Sequence, residues 1–156
     1  MIRVLFVCLG NICRSPMAEA MFRKLVSEEG LSEHFDIDSA GIGGWHKGNP
    51  PHEGTRQLLD QKRISYEGIT ARQVVDEDMT TYDYIIAMDA ENVGALRSQA
   101  GYGKHHFIGR LLDFVDDEDR DDVPDPYYTG NFEEVHDLIE KGLTQFLTYV
   151  KKEQNL

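Results

Sequence analysis

Two cysteines stand close together in the segment Cys8-Leu9-Gly10-Asn11-Ile12-Cys13-Arg14-Ser15. An apolar, β-branched run from Ile2 to Val7 precedes it. Pro16 follows, with Met17, Met21, Phe22, Leu25 and Val26 at helical spacing. The segment is therefore predicted to be a loop between the carboxyl end of a buried strand and the amino end of a helix. A loop wrapped there aims successive backbone N–H groups inward, and the helix dipole adds positive potential. The product is a cradle for a tetrahedral dianion, walled by Leu9 to Cys13. Gly10 and Asn11 are residue types that tolerate a left-handed backbone. Arg14 closes the cradle with a planar fork that matches two phosphate oxygens. At the floor, the dipoles and the guanidinium favour the thiolate of Cys8. Ser15 is placed both to cap the helix and to donate to that sulfur. A thiolate facing the phosphorus of a bound ester attacks in line and forms a phosphocysteine.

The departing oxygen then needs a proton. The best-placed donor type is Asp125, in Asp125-Pro126-Tyr127-Tyr128, where the proline restricts the aspartate to extended geometry. Like-charge repulsion from a bound dianion favours its protonated form. It can then act as acid in one half of the cycle and as base in the other.

These residues need a scaffold, and the rest of the chain reads as one. Phe35 to Ala40 is a second strand, followed by a Gly/Pro-rich loop, Gly41 to Pro51, that carries the single tryptophan, Trp45. A helix is expected over His52 to Lys62, a strand within Tyr82 to Met88, a helix from Ala90 to Ser98 and a short strand over His105 to Ile108. Asp113 to Tyr128 reads as one long acidic loop. Phe132, Val135, Leu138, Ile139, Leu143, Phe146, Leu147 and Val150 mark a closing amphipathic helix. Strands alternating with helices imply an α/β fold: a single domain over residues 1–156, with a parallel sheet and helices on both faces.

Composition bounds the partners. The chain has 156 residues, 40% of them hydrophobic and 28% charged, enough for one domain to bury roughly 70% of its unfolded surface without staples. Lys+Arg 16 against Asp+Glu 28 leaves a formal charge of -12, which disfavours nucleic acid and anionic membranes as main partners. No run approaches the length of a membrane span and no secretory leader is visible. Two close cysteines are too few for a secreted disulfide scaffold. The expectation is a cytoplasmic protein, a monomer or weakly self-associating. A zinc site at Cys8 and Cys13 would need two more His or Cys ligands, and the six histidines pair only as His105-His106, so no metal and no cofactor are expected.

Together, the Cys-x5-Arg-Ser loop and the late Asp-Pro-Tyr-Tyr resemble the low-molecular-weight protein tyrosine phosphatases. The likeness spans the chain, through Asp38-Ser39-Ala40, Gly48-Asn49-Pro50-Pro51, Ala71-Arg72-Gln73 and Tyr84-Ile85-Ile86-Ala87-Met88-Asp89. It implies a four-stranded parallel sheet with an amino-terminal phosphate-binding loop, and phosphotyrosine proteins or peptides as substrates. By position Cys8 matches the nucleophile, Arg14 the clamp and Asp125 the acid. Asn11, Ser15 and Ser39 match the loop's hydrogen-bonding support, and Trp45, Tyr127 and Tyr128 the aromatic rim. Many members carry a histidine three residues before the Arg-Gln pair, where this chain has Ile69. Related chemistries stand beside this reading. Arsenate reduction needs resolving cysteines, and none follows Cys13. Arginine dephosphorylation goes with a threonine before the second loop cysteine, where Ile12 stands. A catalytically silent phosphotyrosine-binding module would not need Cys8, Arg14 and Asp125 together. Cys13 has two readings, a redox partner for Cys8 or a small thiol filling space.

Overall fold

The computed structural model describes residues 1–101, 107–116 and 120–156. Four strands, β1 (Ile2–Cys8), β2 (Phe35–Gly41), β3 (Tyr84–Ala87) and β4 (Phe107–Arg110), form one sheet in the order β2-β1-β3-β4. Every pairing is parallel. The helices are α1 (Arg14–Glu28), α2 (Glu53–Gln61), α3 (Asp78–Thr81), α4 (Ala90–Ala100), α5 (Pro126–Thr129) and α6 (Phe132–Gln154), with 3-10 turns at Ser32–His34 and Leu111–Phe114.

β1 pairs along both edges with parallel neighbours, and helices cover both faces of the sheet, which is why Ile2 to Val7 is an apolar run interrupted only by Arg3. Its alternate residues feed two cores. Val4 and Phe6 join Phe22 of α1 and Ile139, Phe146 and Val150 of α6. Leu5 and Val7 join Ile85, Ala87 and Ile108 of the sheet, Met79 of α3, and Val93 and Leu96 of α4. Helices therefore close both faces, and the α/β single-domain architecture expected from the sequence is the one observed.

Three local readings need correction. α1 begins at Arg14 with Cys13 as its cap residue and no side-chain cap hydrogen bond. Ser15 therefore lies inside the helix, its hydroxyl turned to the sulfur of Cys8 rather than to the helix end. The long acidic segment is not one loop: it opens on the last two residues of the 3-10 turn Leu111–Phe114 and closes within the helical turn α5. α3, four residues long, was not anticipated. His105 and His106, and residues 117–119 of the acidic run, lie outside the described residues.

The order β2-β1-β3-β4 sends the chain from β1 to one side for β2 and to the other for β3. Cys8 ends the strand at that reversal, where a crevice opens beyond the carboxyl ends of parallel strands.

Candidate active site

The loop after β1 is held from behind by its carbonyls. The amide of Ile42 donates to Cys8 O at 3.0 Å, that of Gly43 to Leu9 O at 2.9 Å and that of His52 to Ile12 O at 2.7 Å. In a planar trans peptide the N–H points opposite to the C=O. Bonding these carbonyls outward turns the amides of Leu9, Gly10 and Cys13 to the inner side. Asn11 takes the left-handed conformation, with φ 58°. Gly10 does not, so its smallness serves another purpose: a Cβ there would come within 3.1 Å of the His46 ring.

Asn11 is the bolt of the loop. Its Nδ2 donates to Ser15 Oγ at 2.8 Å and to Ser39 Oγ at 3.0 Å. Its Oδ1 accepts from the Arg72 amide at 3.0 Å. Ser39 passes its own hydrogen to Glu19 Oε1 at 2.6 Å. Burial raises the pKa of the Glu19 carboxyl, against Ser39 and Arg23, which favour its charge. Ser15 Oγ accepts from Asn11 and lies 3.0 Å from Cys8 Sγ and 3.5 Å from Ala40 O; toward a thiolate, which has no hydrogen of its own, Ser15 is the donor. Asn11, Ser15 and Ser39 are all buried, so losing any one leaves an unpaired polar group in the core. Ile69 packs into the apolar core, and the loop's support runs through the amide of Arg72, Ser39 and Glu19.

Arg14 is 2% exposed and lies among three acceptors. Its Nη1 donates to Asp89 Oδ2 at 2.6 Å and to Val123 O at 3.0 Å, and its Nη2 to Asp125 Oδ2 at 3.4 Å. Burial alone would lower its pKa, but the nearby Cys8, Asp89 and Asp125 outweigh that and raise it. Its Nε has no hydrogen-bond partner among the described residues. The two carboxylates are built alike. Asp89 caps α4, Oδ1 accepting from the Asn92 amide at 2.8 Å; Asp125 caps α5, Oδ1 accepting from the Tyr127 amide at 3.1 Å. Each ties one oxygen to a helix start and turns the other to Arg14.

A cavity of about 270 Å³ opens over this floor. Cys8, Leu9, Gly10, Ile12, Cys13 and Arg14 form its base, Asp125 one wall, and Trp45, His46, Tyr127 and Tyr128 its mouth. Trp45 is 70% exposed, Tyr127 57% and Tyr128 76%, rings held at the mouth rather than spent in the core. Of the site residues expected from the sequence, Cys8, Leu9, Gly10, Ile12, Cys13, Arg14, Trp45, Asp125, Tyr127 and Tyr128 line the cavity, whereas Asn11, Ser15 and Ser39 do not line it and are buried behind the loop, bonded to one another. Among the lining and supporting residues, Asp89, His46 and Glu19 were not anticipated. Asp89 carried a signal, an acidic residue just past the carboxyl end of a central strand. His46 carried none.

The family model for the low molecular weight phosphotyrosine protein phosphatases matches residues 3–156. The chain belongs to that family. It is 62% identical to the low molecular weight protein-tyrosine-phosphatase YfkJ of Bacillus subtilis over the full length of both. The crystal structure of YfkJ superposes with a TM-score of 0.96, covering 98% of this chain and 96% of that one. PtpA of Staphylococcus epidermidis, likewise a low molecular weight protein-tyrosine-phosphatase, is 43% identical over all of this chain and 98% of its own length. A Drosophila arginine phosphatase shares the fold at 31% identity and a TM-score of 0.88, covering 96% of this chain and 98% of that one. The protein is accordingly an enzyme of the low-molecular-weight protein-tyrosine-phosphatase class. Among the described residues no helix is long and apolar enough to cross a membrane.

Proposed function

We propose that the enzyme hydrolyses phosphotyrosine in proteins and peptides, and aryl phosphate monoesters generally, through a phosphocysteine intermediate. Cys8 is the nucleophile, Arg14 the phosphate clamp and Asp125 the general acid and base. One observation carries the reading: the buried, unpartnered Nε–H of Arg14, in a guanidinium whose Nη1 is already held by Asp89 and Val123. A buried donor without an acceptor is costly, and a phosphoryl oxygen in the cavity supplies one, with an Nη2 proton beside it as the second prong. The inward amides of Leu9, Gly10 and Cys13 meet the remaining oxygens.

In the first step the Cys8 sulfur attacks phosphorus in line, the bond from phosphorus to the tyrosyl oxygen breaks, and Asp125 gives its proton to that oxygen. In the substrate complex Arg14 Nη2 turns from Asp125 Oδ2 to the phosphoryl group, which frees Oδ2 to carry the proton while Oδ1 stays with the Tyr127 amide. In the second step water attacks phosphorus, Asp125 takes a proton from it, and the S–P bond breaks to return Cys8 as thiolate with its Ser15 hydrogen bond. The Cys13 thiol takes no part in this cycle. Burial, then the neighbouring Cys8 and Asp125, push its pKa up to about 12, and it packs with Ile12 and Ala71 under the loop. The redox reading belongs to the same proposal: a sulfenic acid formed on Cys8 by peroxide condenses with the Cys13 thiol to a disulfide and water, in a cytoplasm whose reductants reverse it.

Removing the acid tests the leaving-group side. Asp125→Ala is expected to slow phosphotyrosine hydrolysis by roughly 10²–10⁴-fold. It should slow para-nitrophenyl phosphate less, because a tyrosyl oxygen with a pKa near 10 needs the proton more. An equal loss across a series of aryl leaving groups would leave Asp125 a purely structural role.

The rim sets the substrate class. A phosphotyrosine is long and flat enough to reach the floor with its ring between Trp45, Tyr127 and Tyr128. A phosphoserine brings its phosphorus to Cys8 only by burying its own backbone. Initial rates on matched phosphotyrosine, phosphoserine and phosphoarginine peptides should favour phosphotyrosine, with ring contacts each contributing about 1 kcal/mol. Equal kcat/KM on phosphoserine overturns the reading. A preference for phosphoarginine would shift it to the activity named for the Drosophila relative.

A further inference from the structure

One residue that lines no part of the cavity nevertheless joins three of the elements around it. The backbone amide of His52 holds Ile12 O of the phosphate loop at 2.7 Å. Its Nδ1 accepts from the Gly54 amide at 3.0 Å and so caps α2, which places the neutral ring's proton on Nε2. The same ring lies nearly parallel to Phe132, the first residue of α6, with centroids 5.4 Å apart and planes at 20°. It also meets Tyr127 edge to face, at 5.9 Å and 77°. Phe132 is itself confined: a Cβ on Gly54 would overlap its ring, and it packs on Ile12 and Cys13. Tyr127, more than half exposed, has only two ring neighbours among the described residues, His52 and Tyr128, and Tyr128 is more exposed still.

We propose that His52 is a positioning residue that seats Tyr127 at the mouth of the cavity and so sets the enzyme's affinity for aromatic phosphoesters. This rests on the reading of the cavity as an aryl phosphate site. The physical argument is one of entropy. An exposed tyrosine free to rotate must be ordered each time a substrate ring stacks on it, which weakens binding. A tyrosine already held against a fixed ring avoids that cost. His52 is itself fixed from below by its cap and from the side by Phe132. The phosphate loop, the acid-bearing turn and the rim therefore share one anchor, outside the reacting atoms.

Two variants separate the ring from the cap. His52→Asn keeps a side-chain acceptor suited to a helix start and removes the ring. It is expected to raise KM for a phosphotyrosine peptide about fivefold, the loss of one aromatic pair. The kcat for that peptide and the inhibition constant of inorganic phosphate should stay within about twofold, since neither uses the rim. His52→Phe keeps the ring and removes the acceptor, so KM should return to near the wild-type value while Tm falls by about 2–4 °C for the lost cap. A double-mutant cycle with Tyr127→Leu guards against a phenylalanine variant that fails to fold: once Tyr127 is gone, His52→Asn should change KM no further. An unchanged KM in His52→Asn overturns the inference. So does a phosphate inhibition constant that rises in step with KM, or an undiminished effect without Tyr127. If the wild-type enzyme itself shows no preference for phosphotyrosine over phosphoserine, the aryl site falls, and this inference with it, whatever the His52 variants do.

Discussion

Cys8→Ser is expected to abolish turnover while the protein continues to bind inorganic phosphate. The sulfur is 3% exposed at the carboxyl end of the central strand, beneath inward amides and beside Arg14. An oxygen in its place is smaller and clashes with nothing, but a serine hydroxyl stays protonated under the same field, and a neutral hydroxyl is a poor nucleophile toward phosphorus. Loss of a catalytic nucleophile costs on the order of 10⁴–10⁶-fold in kcat. The cradle does not depend on the sulfur: Asn11 bolts it to Ser15, Ser39 and the amide of Arg72. Phosphate titrated by calorimetry into the serine variant should therefore bind within a few-fold of the wild-type value. A purified variant that keeps even about a tenth of the wild-type kcat would remove Cys8 from the role, because no other buried nucleophile in the cavity is placed for the same attack.

Arg14→Lys is the second large loss, although the charge is conserved. The guanidinium performs two tasks at once. Nη1 is spent on Asp89 and Val123 O, and in the proposed complex Nε and Nη2, the latter turned from Asp125, meet the phosphoryl group. An ammonium is one point of charge on a flexible stem. If it stays with Asp89 it leaves the phosphate unclamped, and if it turns to the phosphate it leaves Asp89, 19% exposed, without its partner. Since the equatorial oxygens carry the charge of the transition state, kcat/KM should fall on the order of 10³-fold or more. The fall should appear in kcat as well as KM, because the clamp tightens as the phosphoryl group flattens. Steady-state kinetics on para-nitrophenyl phosphate will show this. Near-normal kcat/KM in the lysine variant would take Arg14 out of the mechanism.

Much of this site was legible before any coordinates, and the reasons are local. β1 announces itself because a strand buried on both faces has nowhere to put a polar residue. The loop follows from what comes before and after it: an ended strand, then Pro16 inside the first turn of a helix. Asp125 was readable from the Asp-Pro-Tyr-Tyr resemblance and from the reaction's need for an acid, with Pro126 restricting how its carboxyl is presented. What could not be read depends on distant segments folding over the loop. Ser15 has the composition of a cap residue, yet the helix starts one residue earlier, because the winding that brings its hydroxyl to Cys8 and Asn11 outweighs a local preference. Gly10 and Asn11 both suggested left-handed backbone; only Asn11 uses it, and Gly10 is small to clear His46, a contact invisible until the Trp45 loop is in place. The four-residue turns α3 and α5 are shorter than any window in which helical periodicity can be counted. Asp89 caps α4, and that its second oxygen holds Arg14 appears only when β3 is laid beside β1.

The pairing of Arg14 with Asp125 spans 111 residues, and that with Val123 O spans 109. During synthesis Cys8 and Arg14 leave the ribosome first, and Asp125 emerges only after β2, β3 and β4 have been made. A nascent chain therefore carries Cys8 and Arg14 for most of its synthesis without the aspartate that completes them. Until then neither the Arg14–Asp125 contact nor the wall and rim beyond it exist. A competent site cannot precede a nearly finished polypeptide, so the catalytic unit matures with the whole domain rather than ahead of it.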